Sequence, residues 1–260
     1  MFEPLTDLST CRILLSNDDG INAPGLKHLE DVARQLSDDV WVVAPETEQS
    51  GAGHSLTLHR PLRIREISEK RYAVDGTPTD AVMLAVNKIM RDHKPDVVLS
   101  GINRGGNLGE DVTYSGTVAA AMEGTLMGIR AFALSQVMAH PHPTKWSTAT
   151  HFAPEVIRKV LALGFSRNTL ININFPDVVK ESVEGVEIAR QGKRKIGDDL
   201  VEREDPRGRP YIWIGGQREE DRYAEGTDLE RVLRGRVTVT PLCVDLTDHQ
   251  SLERLKGAFR

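Results

Sequence analysis

The sequence predicts an α/β fold, a mostly parallel sheet with helices on both faces and a β-rich C-terminal extension. Three observations predict it. Short apolar runs alternate with helical patterns through the first two thirds of the chain, as expected of strands joined by crossover helices. Several of those runs end abruptly in polar, Gly-containing loops. After about Pro176 the pattern changes to a charged, apolar-poor stretch with isolated strand-like runs. Residues 1–176 therefore read as the core domain and residues 177–260 as an extension.

Residues 12–16 read as a buried strand. Residues 24–36 read as a helix, with Leu26, Leu29, Val32, Ala33 and Leu36 on one face. Residues 40–44 form a second buried strand, followed by a polar loop over 45–55. Residues 56–67 and 71–74 look extended. Thr77-Pro78-Thr79-Asp80 opens a helix, Thr77 as its cap and Pro78 at its first position. Residues 96–100 are a strand, followed by a Gly-rich loop to Tyr114 and an alanine-rich helix over 115–127. Residues 131–137 are a strand, and a His/Pro-rich loop follows at 140–143. Residues 147–163 are helical, with Pro154 kinking the helix or marking its start. Residues 170–175 are a strand.

In the last third, residues 193–210 are charged and read as a mobile loop. Residues 211–214 and 236–242 read as strands, with a short helix over 228–233 between them and a terminal helix over 251–258. This region holds too little apolar sequence for a core of its own. It is expected to pack on the first part or on another subunit.

Composition narrows the function. Hydrophobic residues make up 39% of 260, enough for a sizeable core. Aromatics at 5% argue against stacking platforms for single-stranded nucleic acid. A net charge of −5 without a long basic run argues against duplex binding. Cys11 and Cys243 lie far apart in apolar runs and read as packed thiols of a reducing compartment. The first ten residues lack the basic start and apolar core of a signal peptide, and no run reaches membrane-spanning length. The expected location is the cytoplasm, with neither nucleic acid nor membrane as partner.

The most informative stretch is Ile13-Leu14-Leu15-Ser16-Asn17-Asp18-Asp19-Gly20, an apolar run stopped by two adjacent carboxylates. Ligands of open α/β sheets bind at such strand ends. Two neighbouring carboxylates repel unless a cation or a shared proton compensates them, and a hard divalent ion suits an all-oxygen site. The alternative is a polar turn whose aspartates cap the next helix.

Loops after parallel strands open on one sheet edge, so distant residues can converge there. Ser50, in Gln49-Ser50-Gly51, and Asn103, in Gly101-Ile102-Asn103, would complete a mixed oxygen shell of charge −2 around the ion. The alternative for each is a hydrogen bond within its own loop. The third loop leads into Tyr114-Ser115-Gly116-Thr117, where free amides at a helix start attract phosphate oxygens. Gly116 permits close backbone approach, and Ser115 and Thr117 add hydroxyls. Here the alternative is an ordinary Ser N-cap.

Other motifs fail. Gly51-Ala52-Gly53-His54 lacks the third glycine of a dinucleotide fingerprint, and neither a P-loop nor a Gly-x-Ser-x-Gly elbow occurs. The eight histidines show no His-Glu-x-x-His pairing. His140 and His142 read as loop residues, and His54 as a loop hydrogen-bonder. Asn172 and Asn174 alternate with Ile171 and Ile173 and are expected to satisfy backbone groups on one strand face.

Several segments in order carry a resemblance. They are residues 13–20, Ala44-Pro45 with Gln49-Ser50-Gly51, residues 76–80, residues 100–103 with Asn107-Leu108-Gly109, and residues 114–124. Arg190-Gln191-Gly192, Asp205-Pro206-Arg207-Gly208, Trp213-Ile214-Gly215-Gly216 and Thr238-Val239-Thr240-Pro241-Leu242 continue it. The chain from Arg12 onward resembles the stationary-phase survival family, SurE. That resemblance implies a Rossmann-like sheet with a C-terminal arm exchanged between subunits, as homodimer or homotetramer. It implies a metal-dependent nucleotidase acting on nucleoside 5′- and 3′-monophosphates. It places metal ligands at Asp18, Asp19, Ser50 and Asn103 and phosphate contacts at Asn107 and Ser115. Residues 1–10 and the loop over 140–145 depart from the family pattern.

The reading is a phosphomonoesterase using one divalent cation per subunit, Mg²⁺ or Mn²⁺. Asp18 and Asp19 serve as the catalytic and metal-binding pair, with Asn107, Ser115 and Gly116 at the phosphate. Two rivals stand beside it. A Rossmann-like metal-dependent glycosyltransferase would need a nucleoside-diphosphate pocket. A non-catalytic nucleotide sensor would use the same loops without turnover.

Overall fold

Strand β1 (Arg12–Ser16) is an interior strand of a nine-stranded sheet, and its residues alternate between two cores. Ile13 and Leu15 join one hydrophobic cluster, while Leu14 joins the other. β5 (Val97–Arg104) repeats the alternation, with Val97 and Leu99 on the first face and Val98 on the second. A strand apolar on both faces must be covered on both, which calls for helices on either side. The computed structural model describes residues 1–139, 141–194, 200–214 and 223–258.

The remaining strands are β2 (Asp39–Pro45), β3 (Ile64–Ser68), β4 (Arg71–Val74), β6 (Arg130–Gln136), β7 (Thr169–Phe175), β8 (Val186–Ile188) and β11 (Val237–Cys243). Their order across the sheet is β3-β4-β2-β1-β5-β6-β7-β11-β8. β4, β2, β1, β5, β6 and β7 run parallel, while β3 and β11 are antiparallel to β4 and β7. A further pair, β9 (Leu200–Glu204) and β10 (Pro210–Ile214), forms a separate antiparallel hairpin.

Helices α1 (Pro24–Ala33) and α4 (Trp146–Leu163) cover the first face through Leu26, Leu29, Ala153 and Ile157. Helices α2 (Pro78–Leu84) and α3 (Gly116–Leu126) cover the second through Ala81, Val82, Val118 and Ala121. Thr77 and Asp80 form a reciprocal capping box at the start of α2, and Asp80 also accepts hydrogen bonds from the Thr57 backbone and hydroxyl. The Gly76–Asp80 segment is thus a structural clasp. α5 (Asp228–Leu233) and α6 (His249–Ala258) complete the chain, and no described helix is long and apolar enough to cross a membrane.

Several expectations need correction. α1 ends at Ala33, three residues before Leu36. Of residues 56–67 only the segment from Ile64 forms a strand, because the earlier part is held by side chains such as Asp80. β5 continues through a bulge to Arg104 instead of ending at Ser100. Gly101 makes that possible: it has φ +129°, and a Cβ there would lie 2.3 Å from the Leu134 carbonyl oxygen. Pro154 does not mark the start of α4: the helix begins at Trp146 and continues through it, with Ala149, Ala153, Ile157 and Leu161 on one buried stripe.

Cys243 is exposed, unlike buried Cys11, because it ends the edge-proximal β11. The charged stretch over 193–210 contains β9, with a turn in which Asp205 accepts from the Arg207 and Arg209 amides. Within that stretch residues 195–199 lie outside the described residues, as do His140 and the Gly215-Gly216 of the Trp213 motif. The first ten residues are packed: Phe2 is buried edge-on against Phe165, and its amide donates to the Phe165 carbonyl at 2.7 Å.

Candidate active site

β1 ends at Ser16, and the chain turns through Asn17-Asp18-Asp19-Gly20. Asn17 donates its amide to the Gly20 carbonyl at 2.9 Å, and Gly20 adopts φ +98°, which closes the turn without steric cost. Asp18 points back under the start of α3. Its Oδ1 accepts the Thr117 hydroxyl at 2.5 Å, and the Gly116 and Thr117 amides also serve it. Gly116 leaves the room for this: a Cβ there would lie 2.6 Å from the Asp18 Cβ. The helix N-terminus and its glycine therefore cradle Asp18 itself, and Thr117 serves that carboxylate. Gly116 lies behind Asp18.

The neighbouring Asp19 is half-buried and accepts the Arg104 amide at 3.3 Å. Burial and then the charge of Asp18 push its pKa up to about 6. Burial also raises the pKa of Asp18, against the hydrogen bonds from Thr117 and the helix. Two adjacent carboxylates are thus held where ionising both is costly.

The other loops come to the same place. The Gln49 amide donates to the Asp18 carbonyl at 2.7 Å, fixing the second loop against the first. Ser50 follows, exposed, with its hydroxyl donating to Glu48 at 2.9 Å. Asn103 lies just past the β5 bulge and donates to the Gly105 carbonyl at 2.9 Å, which leaves its side-chain oxygen as an acceptor. Asp18, Asp19, Ser50, Asn103, Asn107 and Ser115 all line one cavity of about 750 Å³. Its size suits a small-molecule ligand.

Asn107 is held by groups the sequence reading did not connect to the site. Its amide donates to Asn174 Oδ1 at 2.8 Å, and its carbonyl accepts from Asn172 at 2.8 Å and Asn174 at 3.0 Å. The Asn107 side chain donates one amide proton to Ser135 at 2.8 Å. The two β7 asparagines do satisfy backbone groups, as expected, and those groups belong to the cavity wall. Their alternation with isoleucines was the available signal; the partner 65 and 67 residues away was not. Ser115 lines the cavity and also caps α3, its Oγ accepting from Val118 at 3.0 Å. His54 pairs with Glu123 at 2.9 Å.

The C-terminal part reaches this loop as well. Asp228 accepts from the Gly109 and Gly192 amides at 2.9 and 2.8 Å, tying the β5–α3 loop to the segment around Gly192. Arg194 pairs with Asp111, which lines the cavity.

The electrostatics of the lining are lopsided. Asp18, Asp19, Glu48 and Asp111 supply carboxylates, and Arg104 supplies the guanidinium among the described lining residues. Among the described residues no three or more His, Cys, Asp or Glu are grouped so that they alone could hold a metal ion. A cation here would rest on the two aspartates plus neutral oxygens such as those of Ser50 and Asn103. That donor set is hard and all-oxygen, as Mg²⁺ or Mn²⁺ requires.

Comparison with known proteins follows the geometry. Residues 13–198 match the family described as Survival protein SurE. A protein named 5′-nucleotidase SurE from Paramagnetospirillum magneticum is 67% identical over 258 residues, spanning 99% of each chain. One of the same name from Rhodospirillum rubrum is 63% identical over the full length of both. The crystal structure of the SurE protein from Aquifex aeolicus superposes with a TM-score of 0.84 at 41% identity, covering 96% of this chain and all of that one.

Proposed function

We propose, from the premise that this chain belongs to the Survival protein SurE family, that its cavity hydrolyses nucleoside monophosphates with the help of one divalent cation. The chain is a 5′-nucleotidase, a phosphoric monoester hydrolase, as its full-length relatives are named. Activity on 3′-monophosphates is part of the proposal. So is the cation.

The observation that carries the metal reading is the charge of the lining. A phosphate dianion entering beside Asp18, Asp19 and Glu48 would be repelled. Asp18 and Asp19 would hold a Mg²⁺ or Mn²⁺ ion, with Ser50 and Asn103 as neutral partners that leave it net positive charge. Such an ion supplies charge neutralisation at the phosphoryl oxygens. The protein does the rest. Thr117 and the start of α3 fix the direction of Asp18. Asn107 keeps a second amide proton for a phosphate oxygen after donating one to Ser135, and Ser115 lines the same cavity. Water adds its oxygen to phosphorus, the ester P–O bond breaks, and the nucleoside leaves with a proton on its hydroxyl.

The assembly belongs to the same proposal. Leu200, Ile212, Trp213 and Ile214 of the β9–β10 hairpin are all more than half exposed. An apolar hairpin with these side chains exposed is expected to be covered by a second copy, giving a homodimer or homotetramer. Phosphate release from a panel of 5′- and 3′-monophosphates tests the substrate class. Release from 5′-monophosphates alone would remove the 3′ activity from the account.

A further inference from the structure

The cavity is larger than a phosphate and a cation would fill, and part of its lining is apolar. That part comes from Ala23 and Pro24 at the start of α1 and from Met138 and Trp146. Trp146, the first residue of α4, packs closely over Gly25, where a Cβ would lie 3.1 Å from the indole edge and 1.9 Å from the Ile102 carbonyl oxygen. His28 stacks on the indole at 5.4 Å between centroids and 26° between planes. The ring is thereby backed on one side and still contributes to the cavity wall.

The segment that carries this wall is anchored at both ends by one side chain. Asp177 accepts the Ala139 amide at 3.0 Å and the Lys145 ammonium at 2.6 Å. Just beyond, the Thr148 hydroxyl donates to the Val178 carbonyl at 2.6 Å. A rigid aromatic wall loses little entropy when a ligand settles on it. Tyr114 also lines the cavity, but it is 57% exposed and adjoins Ser115 at the phosphate end. A group separated from the phosphate by a sugar would lie away from it.

We propose that the Trp146–Met138 wall is the base subsite of this cavity, packing against the aromatic face of the nucleoside while the phosphate lies at the Asp18–Asp19 end. The inference rests on the nucleotidase reading above. It makes Trp146 a determinant of substrate choice: the enzyme prefers esters that carry an aromatic base over equally charged esters that do not.

The test compares a nucleoside 5′-monophosphate with ribose 5-phosphate, the same ester without its base, at saturating Mg²⁺. The parent is expected to show the lower KM for the nucleotide. Trp146→Leu keeps apolar bulk and removes the aromatic face; it should shrink the KM advantage of the nucleotide over ribose 5-phosphate about tenfold. Met138→Ala should shrink it in the same direction, so the result does not hang on one variant. Adenosine should inhibit both variants less than the parent. An advantage unchanged in both variants overturns the subsite while leaving the nucleotidase reading intact, and so does an advantage lost only in Tyr114→Ala. A parent that cleaves neither ester overturns the nucleotidase reading and this inference with it.

Discussion

The Thr117 hydroxyl donates to Asp18 Oδ1 at 2.5 Å, joining the end of β1 to the first turn of α3. Both groups are buried, so the bond fixes which way the carboxylate faces. Thr117→Val keeps the shape of the side chain and removes the donor. It is expected to lower divalent-cation affinity by about 10–100-fold, the range for outer groups that orient a ligand. Thr117→Ser should restore most of it. Isothermal titration with Mn²⁺ reads both, and an unchanged affinity in Thr117→Val would remove Thr117 from the site.

Asp18→Asn and Asp19→Asn should each cut nucleotide hydrolysis by more than ~100-fold, beyond the effect of an orienting neighbour. Folding should survive, because each change removes one of two crowded charges. Thermal unfolding and phosphate release on the same preparation separate the two effects. A double variant that turns over at the parent rate would sink the metal-site assignment.

How much of this was legible in the sequence depends on how far each contact reaches. The Asp18-Asp19 pair announced itself, because a strand end and two acids are contiguous. The Thr77 cap and Pro78 start of α2 were equally legible, because they are adjacent in sequence. The bulge that carries β5 on to Arg104 was not, because Gly101 is needed for its φ of +129° and its closeness to Leu134 on the next strand. The same holds for Gly116: a glycine at a helix start suggested backbone approach by a ligand, but not that a side chain there would meet Asp18. Asn172 and Asn174 showed their strand face but not their partner, since Asn107 meets them only through the sheet.

That asparagine pair supports a further expectation. Asn174→Leu removes the acceptor for the Asn107 amide and one donor to its carbonyl, both buried. Leaving such groups unpaired costs about 1–3 kcal/mol. The variant should lose stability by that order and bind inorganic phosphate more weakly, seen as a higher Ki. Lower stability with an unchanged Ki would mean that Asn107 does not meet phosphate.

Acidity gives a signed prediction. Burial and Asp18 put the Asp19 pKa at about 6 in the folded chain, against about 3.9 unfolded. Between those values the folded state holds more protons than the unfolded state, so stability without divalent cation should fall as pH rises from about 4 to about 6. Mg²⁺ competes with the proton and should flatten the fall. Urea unfolding across that range, with and without Mg²⁺, checks it; a rise in metal-free stability would contradict the placement of Asp19.

Ile212→Asp with Trp213→Asp should shift the protein toward monomer in light scattering at micromolar concentration, because both side chains are exposed on the apolar hairpin. A parent that is already monomeric would remove the assembly from the account.

The most direct test of the central claim is phosphate release from a nucleoside 5′-monophosphate by the purified protein, first chelated and then reconstituted. The expected result is no release after chelation and full recovery on adding Mg²⁺ or Mn²⁺. Undiminished release by the chelated protein would contradict a cation held at Asp18 and Asp19.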